Sequence, residues 1–167
     1  MHIRHSERPR MEVEKEAFKM ALTPRGEEAS YEFGRMLPVN RGYYFYHTDM
    51  ERMIKTAEMM KKGIHDNGGV ADIVDEIPLF SVLNYGEAAK IIRETNIDDD
   101  VLRAKTMFYR WISGMFPPHA FRPSLNFAQL GAAIMLENLE DAETDDMHVW
   151  VGHENWIAAF LMHWLEE

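Results

Sequence analysis

Short apolar segments typical of β-strands alternate with helical segments along the chain. Strands are predicted over 1–3, 42–48, 72–74 and 147–151, and helices over 23–38, 49–64, 85–94, 98–115, 123–140 and 156–165. Residues 9–23 are predicted to form a loop or a short helix. Because strands that alternate with helices pair in parallel, this order predicts an α/β fold, a three-layer α/β/α sandwich with a mostly parallel central sheet.

Cap residues mark where two of these helices begin. Thr23 is a good N-cap and Pro24 suits the first helical position, while Thr48 or Asp49 is expected to cap the next helix. The first of these helices is predicted to carry its apolar residues on one face. They are Ala29, Phe33, Met36 and Leu37.

Polar side chains follow each predicted strand at its carboxyl end. These groups are Arg4 and His5 after the first strand, Thr48 to Arg52 after the second, Asp75 and Glu76 after the third, and His153 and Glu154 after the last. In parallel sheets, ligands bind beyond the carboxyl ends of the strands. The four groups are therefore expected to lie on one rim of the sheet.

The N-terminal stretch concentrates cationic side chains in an otherwise acidic protein. Arg4 and Arg8 each offer a planar fork of N–H donors that suits phosphate oxygens. His5 lies between them and is able to accept a phosphoryl group on a ring nitrogen. Taken alone, the two arginines are better explained as exposed partners of nearby glutamates, so the cluster gains meaning only with the later motifs.

Composition excludes several classes of function. The 167 residues include no cysteine, which excludes disulfides, thiolate metal sites and a cysteine nucleophile. A net charge of −10 argues against general nucleic-acid binding, and the N-terminus lacks the apolar core of a signal peptide. With no apolar run long enough to span a bilayer, the sequence predicts one cytoplasmic domain over 1–167 that binds neither nucleic acid nor membrane.

Four motifs, in order, resemble the histidine phosphatase superfamily, which is also called phosphoglycerate-mutase-like or histidine acid phosphatase. They are Arg4-His5-Ser6-Glu7-Arg8, Leu22-Thr23 with Gly26, Arg52 with Thr56-Ala57-Glu58, and Val151-Gly152-His153. Ser6 stands where this family usually has glycine. The motifs span nearly the whole chain, and the resemblance implies a phosphoglycerate-mutase-like fold.

The resemblance also implies phosphomonoesterase activity without a metal or another cofactor, on a phosphorylated small molecule or a phosphoprotein. His5 would attack phosphorus and form a phosphohistidine, so its other ring nitrogen is expected to donate to a carbonyl or a carboxylate. The residues expected to bind the phosphoryl group are Arg4, Ser6, Arg8, Arg52 and His153. His153 is expected to be protonated when phosphate is bound.

Two carboxylic acids are candidates for the proton donor to the leaving group. Glu76 follows the third strand and Glu154 directly follows His153, and these positions correspond to the donors of two branches of the family. The short chain gives a slight preference to Glu76. The segment over about 80–125 is expected to be a small helical insertion that determines substrate specificity.

Three other functions remain open from the sequence. One is a metallohydrolase, with His5, His148, His153 and Glu154 as ligands of a Zn²⁺ or Mn²⁺ ion. This alternative lacks a metal-binding motif such as His-Glu-x-x-His. The second is a module that binds phosphate or phosphoproteins without turnover, and the third is a phosphoglycerate-type mutase.

Overall fold

The computed structural model describes residues 1–9, 19–77, 79, 81–140, 142 and 145–164. The strands are β1 (His2–Arg4), β2 (Gly42–His47), β3 (Val70–Glu76) and β4 (Met147–Gly152). The helices are α1 (Pro24–Met36), α2 (Glu51–Asp66), α3 (Tyr85–Glu94), α4 (Asp100–Ile112), α5 (Ser124–Leu139) and α6 (Glu154–Trp164). Most of the predicted loop or short helix over 9–23, and position 165 of the last predicted helix, lie outside the described residues.

The chain forms two compact units. The first contains Met1–Pro78 and Leu136–Ile157 and holds all four described strands, whereas the second contains Leu79–Met135 and Ala158–Glu167 and is helical. The segment over 80–125 falls in the second unit. Its role as a specificity insertion stays a prediction.

The four described strands form one parallel sheet in the order β1-β4-β2-β3. This arrangement confirms the predicted α/β class, and the carboxyl ends of all four strands share one edge. Side chains at paired positions of β2 and β4, such as Phe45 and Val149, are fully buried. Helix α2 packs on β2, β3 and β4, and α1 packs on α2.

Helix α1 begins as predicted but buries a different face. Thr23 caps it, because its Oγ1 accepts a hydrogen bond of 3.0 Å from the N–H of Gly26. The apolar residues predicted for the buried face are largely exposed, with Phe33 at 43% and Met36 at 80%. The buried residues are instead Gly26, Ser30 and Gly34. The reason is a close backbone approach: a Cβ on Gly34 would overlap the carbonyl oxygen of Met60 in α2.

The predicted cap of α2 is wrong. Its N-cap residue is Met50, and no side chain forms a capping hydrogen bond there. The interior of the helix follows the predicted spacing, with Met53, Ala57 and Ile64 fully buried. The first turn also carries Arg52 into the interior, where only 6% of the residue remains exposed.

Side-chain caps begin two helices of the second unit, and Trp111 forms two further contacts within it. Asn84 and Asp99 cap α3 and α4 by accepting from the N–H groups of Glu87 and Leu102. The indole of Trp111 packs edge-on against Phe127 and donates a hydrogen bond of 2.7 Å to the Arg122 carbonyl. No helix in the described ranges combines the length and the apolarity needed to cross a bilayer.

Candidate active site

His5 lies directly after β1 and is buried, with 5% of the residue exposed. Its backbone N–H donates to the Gly152 carbonyl at 2.9 Å, which extends the pairing of β1 with β4. The ring Nδ1 lies 2.7 Å from the Ser6 carbonyl oxygen. Since that oxygen only accepts, Nδ1 carries the proton and Nε2 keeps its lone pair. This is the orientation that a histidine nucleophile requires.

Burial is the main reason that the pKa of His5 falls from 6.5 to about 4. The nearby guanidinium groups of Arg52 and Arg4 lower the pKa further, and the Ser6 carbonyl and the Glu154 carboxylate oppose this change. The imidazole is therefore neutral at pH 7. A neutral imidazole has the free electron pair that attack on phosphorus needs.

Arg52 and His153 are joined by a direct hydrogen bond. Arg52 Nη2 lies 3.1 Å from His153 Nε2, and since a guanidinium only donates, the imidazole accepts. Burial, followed by the charge of Arg52, holds the pKa of His153 well below its usual value. The ligand-free site therefore contains a neutral His153, in contrast to the protonated form expected with phosphate bound.

The sulfur of Met50 contacts both Arg52 and His153. The Met50 Sδ lies 3.0 Å from Arg52 Nη2 and 3.2 Å from His153 Nε2. The ring of His153 in turn stands almost perpendicular to that of His5, with an interplanar angle of 87° and centroids 5.3 Å apart. The sulfur, the guanidinium and the two imidazoles thus form one cluster.

Glu154 joins the cluster from the first residue of α6. Its Oε2 accepts from Arg4 Nε at 2.8 Å, and both side chains are more than half exposed. One ligand atom each from His5, His153 and Glu154 lies within 4.8 Å of the others. The structure therefore brings these three predicted site residues together with Arg4 and Arg52.

The loop that carries His5 is held by the N-terminal halves of α1 and α2. The Ser6 N–H donates to Thr56 Oγ1 at 3.1 Å, and the Thr56 hydroxyl donates to the Arg52 carbonyl at 2.8 Å. The Thr23 N–H donates to the Glu7 carbonyl at 3.0 Å. Serine is accommodated at position 6 because its backbone does not need the positive φ that favours glycine. Within the described ranges, Asn96 alone among non-glycine residues has a positive φ.

An open cavity of about 480 Å³ lies over this loop. Its lining residues are Arg4, His5, Ser6, Glu7, Arg8 and Pro9. Arg8 donates through Nη1 to the Pro9 carbonyl at 3.0 Å, and its positive charge contributes to the lowered pKa of His153. The cavity therefore combines a neutral imidazole with cationic groups, a combination that is suited to a phosphate ester.

Two candidate residues lie outside the cluster. Glu76 ends β3 and is exposed, and β2 separates β3 from the strand that leads to His153. His148 is near the amino end of β4, where Nδ1 lies 2.9 Å from the Tyr46 hydroxyl. The four proposed metal ligands are therefore not assembled, because His148 is absent from the group formed by the other three.

Sequence reasoning missed two residues of the site. Met50 was not recognised, although its position two residues before Arg52, directly after a buried strand, indicates that it lies at the rim. Thr56 belongs to the matched motif, but its role in holding the Ser6 N–H becomes apparent only from the contact between the loop and α2.

Comparison with known proteins gives structural matches alone. No protein-family profile and no curated protein sequence matches the chain. A mycobacterial glucosyl-3-phosphoglycerate phosphatase in complex with inorganic phosphate matches with a TM-score of 0.59 and 18% identity, over 95% of this chain and 74% of that chain. A phosphoserine phosphatase from Entamoeba histolytica in complex with 3-phosphoglyceric acid matches with a TM-score of 0.59 and 17% identity, over 98% of this chain and 78% of that chain.

A third match, mycobacterial hydrolase 2, has a TM-score of 0.58 and 16% identity, and covers 95% of this chain and 68% of that chain. At such identities a structural match establishes the fold. The matches extend over almost the whole of this chain. The chain therefore has the same phosphoglycerate-mutase-like α/β fold as these structures.

Proposed function

We propose that this protein is a metal-independent phosphomonoesterase that acts through a phosphohistidine on His5. The observation that carries the proposal is the orientation of the buried imidazole. Its Nδ1–H is fixed by the Ser6 carbonyl, and its Nε2 stays unprotonated beside the pair formed by Arg52 and His153. The phosphatase names of the proteins that share the fold add support.

The reaction has two balanced steps. The Nε2 lone pair of His5 attacks phosphorus as the bond to the leaving oxygen breaks, and a carboxylic acid gives that oxygen its proton. Water then attacks the phosphohistidine, releases inorganic phosphate and returns a proton to the carboxylate, which regenerates neutral His5. Arg4, Arg8 and Arg52 balance the charge on the phosphoryl oxygens, which is the main demand of phosphoryl transfer.

His153 changes its protonation state when phosphate binds. In the ligand-free protein its Nε2 accepts from Arg52. A bound dianion favours the imidazolium, which then donates to a phosphoryl oxygen and no longer accepts from the guanidinium. Arg52 is thereby released from His153 and turns towards the same phosphoryl group.

We assign the proton donor to Glu76 and a positioning role to Glu154. Glu154 is already engaged by Arg4 at 2.8 Å, and this ion pair orients a phosphate-binding guanidinium. Glu76 is exposed at the same edge of the sheet. With an alkyl phosphate, whose leaving oxygen needs a proton, E76Q is expected to lower kcat by about 100-fold.

The leaving group distinguishes the two carboxylates. With p-nitrophenyl phosphate, whose leaving group departs unprotonated, E76Q is expected to lose less than about tenfold in kcat. E154Q is expected to raise KM by the same factor for both substrates. If E154Q is the variant whose loss depends on the leaving group, the two roles are reversed.

The proposed substrate is a small phosphorylated molecule. The matched proteins were solved with inorganic phosphate and with 3-phosphoglyceric acid, and the cavity of about 480 Å³ over the His5 loop is of the size that small ligands occupy. A phosphoprotein is the second substrate class. A cytoplasmic location, predicted from the composition, remains part of the proposal.

Hydrolysis of p-nitrophenyl phosphate by the wild-type protein and by H5A, each with and without EDTA, tests the proposed activity. Wild-type turnover is expected to resist EDTA, and H5A is expected to lose at least about 1,000-fold in kcat because it lacks the nucleophile. Full activity in H5A would falsify the proposal. Turnover that EDTA abolishes favours the metallohydrolase, and phosphate binding without turnover in the wild type favours a binding module.

A further inference from the structure

Met50 is the only residue of the cluster without an expected chemical role. It lies at the N-cap of α2, a position that favours Ser, Thr, Asp or Asn, and no side chain forms a capping hydrogen bond there. Its side chain turns instead towards the site and is buried, with 9% of the residue exposed. Its sulfur meets Arg52 Nη2 at 3.0 Å and His153 Nε2 at 3.2 Å.

These three atoms form a triangle with sides between 3.0 and 3.2 Å. Arg52 Nη2 has two hydrogens, and the geometry gives one to the imidazole nitrogen and one to the sulfur. The thioether therefore receives an N–H from the arginine that is proposed to bind phosphate. The sulfur also lies 3.2 Å from His153 Nε2.

A thioether suits this position because it is a weak, neutral and polarisable acceptor. A carboxylate in its place would hold Arg52 tightly and compete with phosphate for the guanidinium. When His153 is neutral, the sulfur accepts from Arg52. When His153 is protonated and its Nε2–H donates to a phosphoryl oxygen, the sulfur still accepts from Arg52.

We propose that Met50 is a positioning residue that holds Arg52 at the phosphate site in both protonation states of His153. The proposal rests on the proposed phosphate chemistry of this site. It predicts that removal of the sulfur weakens phosphate binding while the surrounding helix remains packed.

The test compares M50L with M53L by calorimetry with inorganic phosphate at pH 7. Leucine keeps most of the methionine volume and removes the acceptor. M53L is the matched control, because Met53 is also buried in the first turn of α2. M50L is expected to raise the Kd for phosphate about fivefold, the equivalent of one lost hydrogen bond, and M53L by less than about twofold.

M50Q supplies a rescue variant, since its amide oxygen is able to accept from Arg52 at a similar reach. It is expected to recover most of the affinity lost in M50L, with the melting temperatures of M50L and M53L alike. Equal affinities in M50L and M53L overturn the role of Met50 alone. A wild-type protein that neither binds phosphate nor hydrolyses a phosphate ester overturns both this role and the proposed function.

Discussion

The two compact units present two differently built cavities. The cavity over the His5 loop in the first unit has a volume of about 480 Å³ and adjoins buried side chains, with His5 and Arg52 each at most 6% exposed. The second unit has a cleft of about 320 Å³, whose lining residues are Glu87, Lys90, Ile91, Glu94, Arg110, Met115, Phe116, Pro117 and His119. The first site contains the buried side chains of His5 and Arg52 beside the exposed Arg4 and Glu154, whereas the second is lined by charges of both signs that are largely exposed.

We propose that this difference separates the reaction chemistry from the recognition of the substrate. A phosphoryl group presents the same charge and geometry in every substrate, so a rigid and desolvated set of donors is suited to it. Exposed charges on helices contribute little to folding and tolerate replacement. We therefore expect changes at the first site to affect turnover of any ester, and changes in the second cleft to leave a generic ester unaffected.

Two arginines provide the largest expected contrast. R52A removes a buried cation that is hydrogen-bonded to His153, and kcat/KM for p-nitrophenyl phosphate is expected to fall by about 1,000-fold. R110A changes a residue that lines the helical cleft, and the same kinetic constant is expected to stay within about twofold. A comparable loss in R110A contradicts the separation of the two sites.

Two glycines test how tightly each unit is packed. A Cβ on Gly34 would overlap the Met60 carbonyl, so G34A is expected to lower the free energy of unfolding by about 2–3 kcal/mol. A Cβ on Gly86 in α3 would meet only the Asn84 side chain, at 3.5 Å, so G86A is expected to change stability by less than about 1 kcal/mol. Urea denaturation measures both values, and an unaffected G34A contradicts the close helix contact.

The smallest expected effect is a proton taken up with phosphate. The pKa of His153 is well below its usual value in the ligand-free protein, so the ring is unprotonated at pH 7. A bound dianion raises this pKa, and binding is therefore expected to take up close to one proton and to strengthen as the pH falls towards 6. Calorimetry in buffers of different ionisation enthalpy measures the uptake.

H153N and H119N are the matched variants for that measurement. H153N lacks the titrating ring and is expected to abolish the uptake, whereas His119 lines the helical cleft and H119N is expected to leave it unchanged. An unchanged uptake in H153N assigns the proton to another group.

The parallel α/β class and the rim of polar residues were predictable from the sequence, because both follow from alternation and from the parallel pairing it implies. The buried face of α1 was not, since apolar periodicity favours Phe33 and Met36, whereas close helix packing selects Gly26, Ser30 and Gly34. Small residues carry little hydrophobic signal, so a search for apolar spacing overlooks them.

The site also has features that the sequence predicts and features that it does not. Position after a strand, together with the four motifs that resemble the histidine phosphatase superfamily, was enough to select His5, Arg52 and His153. The protonation state of His153 depends on burial and on the distance to Arg52, and neither is visible in a one-dimensional pattern. Glu76 and Glu154 were both candidates by motif, with a slight preference for Glu76, and only the structure shows that Glu154 pairs with Arg4.

The glycine contacts between α1 and α2 have a consequence for the precision of the site. A Cβ on Gly26 would overlap the Glu7 carbonyl, and one on Gly63 would overlap the Tyr31 carbonyl, so main chain meets main chain at both places. Side-chain rotamers therefore have little influence on the spacing between the His5 loop and the helix that carries Arg52. We therefore expect the distance between the His5 loop and α2 to be the same before and after a ligand binds.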